Sequence, residues 1–284
     1  MSAGASRLQT LPGIPALRAE SRPEILPAPR LRAAAAARVV LLPQQLVERA
    51  HADAICRSPP SGQGLDSPDV RGRMVERLRA GGVTHPQVLD AMARVQRHLF
   101  VDPGLVTQAY EDTSLPIGHG QTISKPSVVA RMIELLLGGV NARRIGGLGS
   151  LLEIGTGCGY QACVLALLAR QVVSVERLRP LHEKARELIS PHRPPNLRLV
   201  YGDGMRGHPP NAPYDSVIAA AGGDAVPTGW LDQLAIGGRL VSPVRRAGSD
   251  RQALMVIDRT ALGFEHHAFE DVLFVALKSG VVGA

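Results

Sequence analysis

The sequence predicts an α/β fold, a doubly wound, mostly parallel sheet with an antiparallel C-terminal strand pair and a small N-terminal helical cap. Three observations carry this. From residue 150 onward, short runs rich in Val, Ile and Leu alternate with helix-length segments; a glycine-rich turn joins the first run to its helix; and the last two apolar runs have no helix-length segment between them.

Taken in chain order, residues 1–65 contain eight Pro, an alanine run over 33–37 and no sustained periodicity. That composition reads as a mostly disordered basic extension in which one short helix forms between Leu31 and Ile55. It is Arg-rich and poor in acids, but it lacks an uninterrupted apolar region and a small-residue cleavage site, so it is not read as a targeting peptide. The domain that follows spans 66–284, with a helical cap and substrate loop over 66–122 and an α/β core over 123–284. In the cap, Val70, Met74, Val75 and Leu78 share one helical face that stops at Gly81 and Gly82. Thr84 and Pro86 start a second helix carrying Val88, Leu89, Met92 and Val95. The turn-rich segment 115–124 precedes a third helix marked by Val128, Val129, Met132, Ile133 and Leu136, with Ser124 expected where that helix begins. In the core, strands are expected at 151–154, 172–176, 197–201, 214–220 and 239–244, and helices at 160–169, 178–189 and 228–235. The runs 254–257 and 272–277 are expected to pair as the antiparallel hairpin.

Composition bounds the function. The 284 residues are 45% apolar, enough for a buried core, and the net charge of +7 is uneven. Residues 1–65 hold eight Arg and four acids, so most of the excess lies in the extension and the body is not read as a nucleic-acid binder. Arginine supplies 29 of the 32 basic residues, which reads as a bias of composition rather than an Arg-specific surface. No apolar run reaches the roughly 18 residues that span a bilayer, because Arg38 and Arg170 interrupt the longest ones. Cys56, Cys158 and Cys163 form no CxxC and suit a reducing, cytoplasmic setting without a disulfide framework or a metal site.

The chemistry concentrates in the first turn of the core, Glu153-Ile-Gly155-Thr156-Gly157-Cys-Gly159-Tyr160. Glycines there let backbone approach a ligand at a helix start. The spacing is G-x-G-x-G, and Glu153 beside it would repel a pyrophosphate. A ligand with positive charge and no phosphate, such as S-adenosylmethionine, fits better. Glu176 closes the second strand, where a carboxylate can accept hydrogen bonds from both ribose hydroxyls. Asp203, in an Asp-Gly turn ending the third strand, is placed to bond an adenine amino group or simply to form the turn. His119, His266 and His267 have no partner at metal-ligand or nucleophile spacing and read as structural or surface residues, and Cys158 as a small filler of the glycine turn.

Leu115-Pro-Ile-Gly-His-Gly-Gln-Thr-Ile-Ser124, Leu152-Glu-Ile-Gly-Thr-Gly-Cys-Gly-Tyr-Gln161, Val173-Ser-Val-Glu176 and Gly202-Asp-Gly204 resemble, in order and spacing, the protein-L-isoaspartate O-methyltransferases. The likeness runs from about residue 70 to the C-terminus. It implies a Rossmann-like sheet and methyl transfer from S-adenosyl-L-methionine, leaving S-adenosyl-L-homocysteine, to the α-carboxylate of isoaspartyl residues in damaged proteins. By position it makes Ser124 the active-site serine and places Gln121, Thr122 and Ile123 on the cofactor and substrate cleft. It likewise makes Glu153, Gly155, Thr156, Gly157, Gly159, Glu176, Asp203 and Gly204 cofactor contacts. An isoaspartyl carboxylate is ionised at neutral pH and needs no general base, so orientation carries the catalysis, with Ser124 donating to the carboxylate while accepting from a backbone N–H of the following helix. The partners implied are isoaspartyl peptides and proteins, with no nucleic acid or membrane, acted on by a monomer.

This sequence departs from the family pattern at Lys125, where Gln is frequent, and at Leu273 and Ala276, where Arg and Pro are usual. Two further readings stay open on the residues alone. One keeps the cofactor and changes the acceptor to a small molecule; the other is a non-catalytic binding module whose basic extension recruits an acidic partner.

Overall fold

The computed structural model describes residues 68–191, 194–246 and 248–283, so the extension and the short helix expected within it lie outside the described residues. A seven-stranded sheet forms the core, built from β3 (Ser150–Ile154), β4 (Gln171–Glu176), β5 (Leu197–Tyr201), β6 (Tyr214–Ala219), β7 (Leu234–Arg245), β8 (Gln252–Thr260) and β9 (Gly263–Val272). Their spatial order is β5-β4-β3-β6-β7-β8-β9. The first five are parallel, and β8 and β9 are added antiparallel.

Period-two alternation assigns the two faces. Leu151, Val172, Ile218 and Val241 point to one side; Leu152, Val173, Val217 and Leu240 point to the other. The first face packs against α1 (Pro68–Ala80), α2 (Pro86–Arg94), α3 (Pro126–Leu137) and α5 (Tyr160–Ala166), whose buried stripes include Met74 and Leu78, Val88 and Met92, Val129 and Ile133, and Val164. The cap helices thus share a core with the sheet. The second face is closed by the fully buried Tyr214 and by Trp230 of α7 (Thr228–Asp232). On the first face as well, α6 (Arg179–Ile189) buries Leu181, Ala185 and Ile189, spaced one turn apart. No helix among the described residues is long and apolar enough to cross a membrane.

The structure alters three expectations. The C-terminal hairpin forms, but β8 pairs with 263–272 and not with 272–277. An edge strand gains from ladder hydrogen bonds with little side-chain burial, so exposed Glu265, His266 and His267 occupy it, while the apolar run after Val272 is drawn elsewhere. Second, α7 stops at Asp232 and β7 begins at Leu234, because Leu234 is already in register with Tyr214. Third, α4 (Val140–Ile145), a six-residue helix ended by the left-handed Gly146, carries too short an apolar pattern to be read in advance.

Candidate active site

The carboxyl ends of β3, β4 and β6 meet where the strand order reverses, the place at which open α/β sheets leave a crevice. A cleft of ≈ 240 Å³ lies there. Its floor is the turn after β3, with Gly155, Thr156 and Gly157; Glu176 and Gly204 come from the next two strand ends, and Ala220 and Ala221 from β6. Over it lies a two-stranded antiparallel hairpin, β1 (Leu115–Gly118) and β2 (Gln121–Ile123), which contributes Gln121, Thr122 and Ile123, with Ser124 just beyond. The hairpin turn requires three successive left-handed residues, Gly118, His119 and Gly120, so His119 is held in a conformation that glycine supplies more cheaply. The ring is exposed at the rim of the cleft.

Glu176 is nearly buried and its position is fixed twice. One carboxylate oxygen accepts from Gly157 N–H at 2.9 Å and the other from Leu178 N–H at 2.9 Å. A carboxylate offers about four acceptor sites, so lone pairs remain for a diol on the cleft side.

Glu153 does not reach the cleft, which corrects its expected role as a cofactor contact. It shares a face of the sheet with Ser174 and Glu176 but lies one register pair deeper, beneath α5, and is fully buried, accepting from Gln161 Nε2 at 3.0 Å and linked to Ser174 Oγ at 2.5 Å. Burial, assisted by the negative charge of Glu176, pushes its carboxyl up to about 8 against the pull of those two hydrogen bonds.

Asp203 is also off the cleft lining. Its oxygens accept from Met205 N–H at 3.0 Å and Gly280 N–H at 2.9 Å, so the carboxylate shapes the loop and ties down the C-terminal segment. The neighbouring Gly204 is the residue on the cleft, and its carbonyl is braced by the indole N–H of buried Trp230 at 2.7 Å.

Ser124 departs from expectation in its local role. Helix α3 starts one residue later, with Lys125 in the cap position, and Ser124 makes no hydrogen bond to the described protein. The helix is capped from outside: Asp112 accepts from Ser127 N–H at 2.8 Å and from its hydroxyl at 2.7 Å. The Ser124 hydroxyl is therefore left over at the cleft wall.

Several residues that position the site were missed because they act over long sequence separations. Lys184 on α6 donates to Ile117 O at 3.2 Å and ties the hairpin down. Arg97, wholly buried, donates to Ala109 O at 2.7 Å and stacks 4.9 Å over the Tyr160 ring, joining the loop before the hairpin to the start of α5. The 275–278 segment lines the cleft, held by Gly222 N–H to Val275 O at 2.9 Å and Leu277 N–H to Gly222 O at 2.8 Å. Further along, Arg177 Nε donates to Gly280 O at 3.0 Å. Cys158 is buried, and burial pushes its thiol up, so it is a filler rather than a nucleophile.

Gly159 touches no ligand space but governs the turn. Its φ is 91°, and a Cβ there would lie 2.5 Å from Ile189 Cδ1. Gly159→Ala is expected to destabilise the fold by about 1–3 kcal/mol through backbone strain and overpacking. The check is a thermal melt, in which the midpoint falls by about 2–4 °C per kcal/mol for a domain of this size.

The donor set tests which ligand fits. A fixed carboxylate faces the cleft, glycine backbone forms its floor, and Ile154, Val175 and Leu181 supply apolar walls. This suits a nucleoside that carries positive charge rather than a pyrophosphate, and with the sheet it defines an S-adenosyl-L-methionine-dependent methyltransferase of Rossmann-like fold. The comparisons with known proteins agree. The family model for protein-L-isoaspartate(D-aspartate) O-methyltransferase matches residues 70–282, and the chain belongs to that family. A protein-L-isoaspartate O-methyltransferase of Leptothrix cholodnii is 60% identical over 223 residues, covering 78% of this chain and 77% of its own. One of Methylibium petroleiphilum is 59% identical over 242 residues, covering 85% and 89%. Among solved structures, a protein-L-isoaspartate O-methyltransferase superposes with a TM-score of 0.65 at 27% identity, covering 74% of this chain and 67% of that one.

Proposed function

We propose that this enzyme methylates the α-carboxylate of L-isoaspartyl residues in peptides and damaged proteins, with Ser124 as the residue that orients the acceptor. One observation carries the assignment of Ser124: a hydroxyl with no hydrogen bond to the described protein stands at the junction of the cofactor cleft and a second groove. That groove, ≈ 490 Å³, is lined by Thr122, Ser124, Lys125, Leu273 and Phe274 and is open to solvent. The groove adjoins the cofactor cleft at Ser124, so an acceptor carboxylate lying in it meets the hydroxyl beside the cofactor. When bound, the cofactor supplies an activated methyl group on a sulfonium centre.

The chain has to hold and orient the acceptor. An acceptor carboxylate is already ionised at neutral pH, so no side chain need remove a proton. Ser124 donates its hydroxyl hydrogen to one carboxylate oxygen and thereby aims the other, and its place between a hairpin anchored by Lys184 and a helix start anchored by Asp112 makes that aim reproducible. Glu176 with the backbone of Gly155 and Gly157 is assigned to the ribose side of the cofactor, and the loop at Gly204 to the base. Residues 66–122 then govern access and 123–284 hold the cofactor.

The test offers labelled S-adenosyl-L-methionine with paired peptides that differ only in an isoaspartyl or aspartyl linkage. A base-labile methyl ester on the isoaspartyl peptide alone is the expected result. Equal labelling of both, or of neither, would overturn the acceptor assignment.

A further inference from the structure

Beneath the glycine turn lies a chain of groups that the assignment above does not use. Glu153 on β3 and Ser174 on β4 are register partners, and their side chains meet at 2.5 Å. Ser174 Oγ in turn lies 2.6 Å from Thr156 Oγ1, and Thr156 lines the cofactor cleft. All three are buried. Each hydroxyl has one hydrogen, so the direction of one bond sets the direction of the next. If Glu153 is ionised, Thr156 donates to Ser174, Ser174 donates to Glu153, and Thr156 is left with lone pairs toward the cleft. If Glu153 is protonated on the oxygen that faces Ser174, the other being held by Gln161, it donates to Ser174, Ser174 donates to Thr156, and Thr156 is left with a hydrogen to donate. Gln161 Nε2 donates to the second Glu153 oxygen in either case.

We propose that Glu153, acting through Ser174 and Thr156, is a positioning residue whose proton is expelled by the cationic methyl donor and kept with the uncharged product, so that binding of S-adenosyl-L-methionine, unlike that of S-adenosyl-L-homocysteine, is coupled to the release of a proton. The two ligands differ by one methyl group and the sulfonium charge that goes with it. A buried carboxylate without a cationic partner is stabilised by an added positive charge and gains nothing from a neutral thioether. No ion pair to Glu153 exists among the described residues; the titratable groups that face it are Glu176 on β4 and the buried thiol of Cys163 on α5, and neither is a cation. The elevated Glu153 carboxyl, at about 8, means that the free site holds the proton at neutral pH. Donor binding reverses the relay and turns the Thr156 hydroxyl from donor to acceptor on the cleft side.

The inference rests on the cofactor assignment and not on the acceptor, so a failed isoaspartyl assay leaves it standing. It is tested by calorimetry of both ligands at neutral pH in two buffers of different ionisation enthalpy, which counts protons released on binding. The ligand amino group contributes equally to the wild type and its variants. The wild type is expected to release close to one proton more than Glu153→Gln on binding S-adenosyl-L-methionine, and no more than it on binding S-adenosyl-L-homocysteine. Ser174→Ala, which keeps the carboxyl but cuts the relay, is expected to lose the excess as well while still binding the product. Equal release by the wild type and Glu153→Gln would overturn the role of Glu153, and an undiminished excess in Ser174→Ala would overturn the relay. If the wild type binds neither ligand, the cofactor assignment itself falls.

Discussion

Glu176→Ala is expected to weaken S-adenosyl-L-methionine binding by at least about 100-fold, because the carboxylate that would accept both ribose hydroxyls is lost and a hydrogen bond to a charged group contributes about 1.5–3 kcal/mol. The loss has a second source. Both oxygens also hold backbone N–H groups, at Gly157 and at Leu178, and removing them leaves donors on either side of the cleft without a partner. The glycine turn is then free to move away from the geometry that the ligand needs. Glu176→Gln separates the two contributions, since its amide oxygen can replace only one of the two acceptors. It should bind the donor more tightly than the alanine variant and less tightly than the wild type. Isothermal titration is the measurement, and an unchanged dissociation constant in Glu176→Ala would remove this residue from the cofactor site.

For Ser124→Ala the expected pattern is the opposite. The hydroxyl bonds to nothing else in the described protein, and a substitution at a half-buried position without partners changes stability by about 0.5 kcal/mol or less. The melting temperature and the affinity for S-adenosyl-L-methionine should therefore stay as in the wild type. Methyl transfer to an isoaspartyl peptide should fall by about 10- to 150-fold, the value of one hydrogen bond to a charged acceptor. Ser124→Thr, which keeps a hydroxyl, should recover part of the rate if its added methyl group fits between Thr122 and Phe274. A fall in cofactor affinity with the turnover of the bound enzyme unchanged would show that Ser124 belongs to the cofactor side of the cleft.

The C-terminal segment shows how sequence reading can find the right material and misplace it. Val272 to Leu277 is the second of two apolar runs and has the composition of a strand, yet it leaves the sheet at Val272 and lies along the cleft. Its backbone is held there by Gly222 and by the Gln252 side chain, which accepts from Phe274 N–H at 2.7 Å. Leu273 consequently stands 91% exposed beside the acceptor groove. The departures from the family pattern at Leu273 and Ala276 thus fall outside the core, Leu273 on the second groove and Ala276 on the wall of the cofactor cleft.

The sequence by itself determined the parts that depend on neighbours in the chain. Strand and helix alternation follows from periodicity, and the strand ends at Ile154, Glu176 and Tyr201 follow from the turns after them. The glycine turn and the turn-rich character of the segment before Ser124 are likewise local, since positive φ angles at Gly155, Gly157, Gly159 and around His119 are demands of the backbone; that the segment closes into a hairpin is shown by the structure. The tertiary structure alone decided which acids face the ligand. Glu153, Glu176 and Asp203 all lie at or near a strand end, but only Glu176 lines the cleft; Glu153 shares its face of the sheet but lies one register pair deeper, bonded to Ser174 and Gln161, and Asp203 is taken up by backbone donors, one of them 77 residues away. How deep beneath its neighbours a side chain sits, and whether a distant donor has already claimed its lone pairs, depends on packing between segments, and that information is absent from the spacing of residues along the chain.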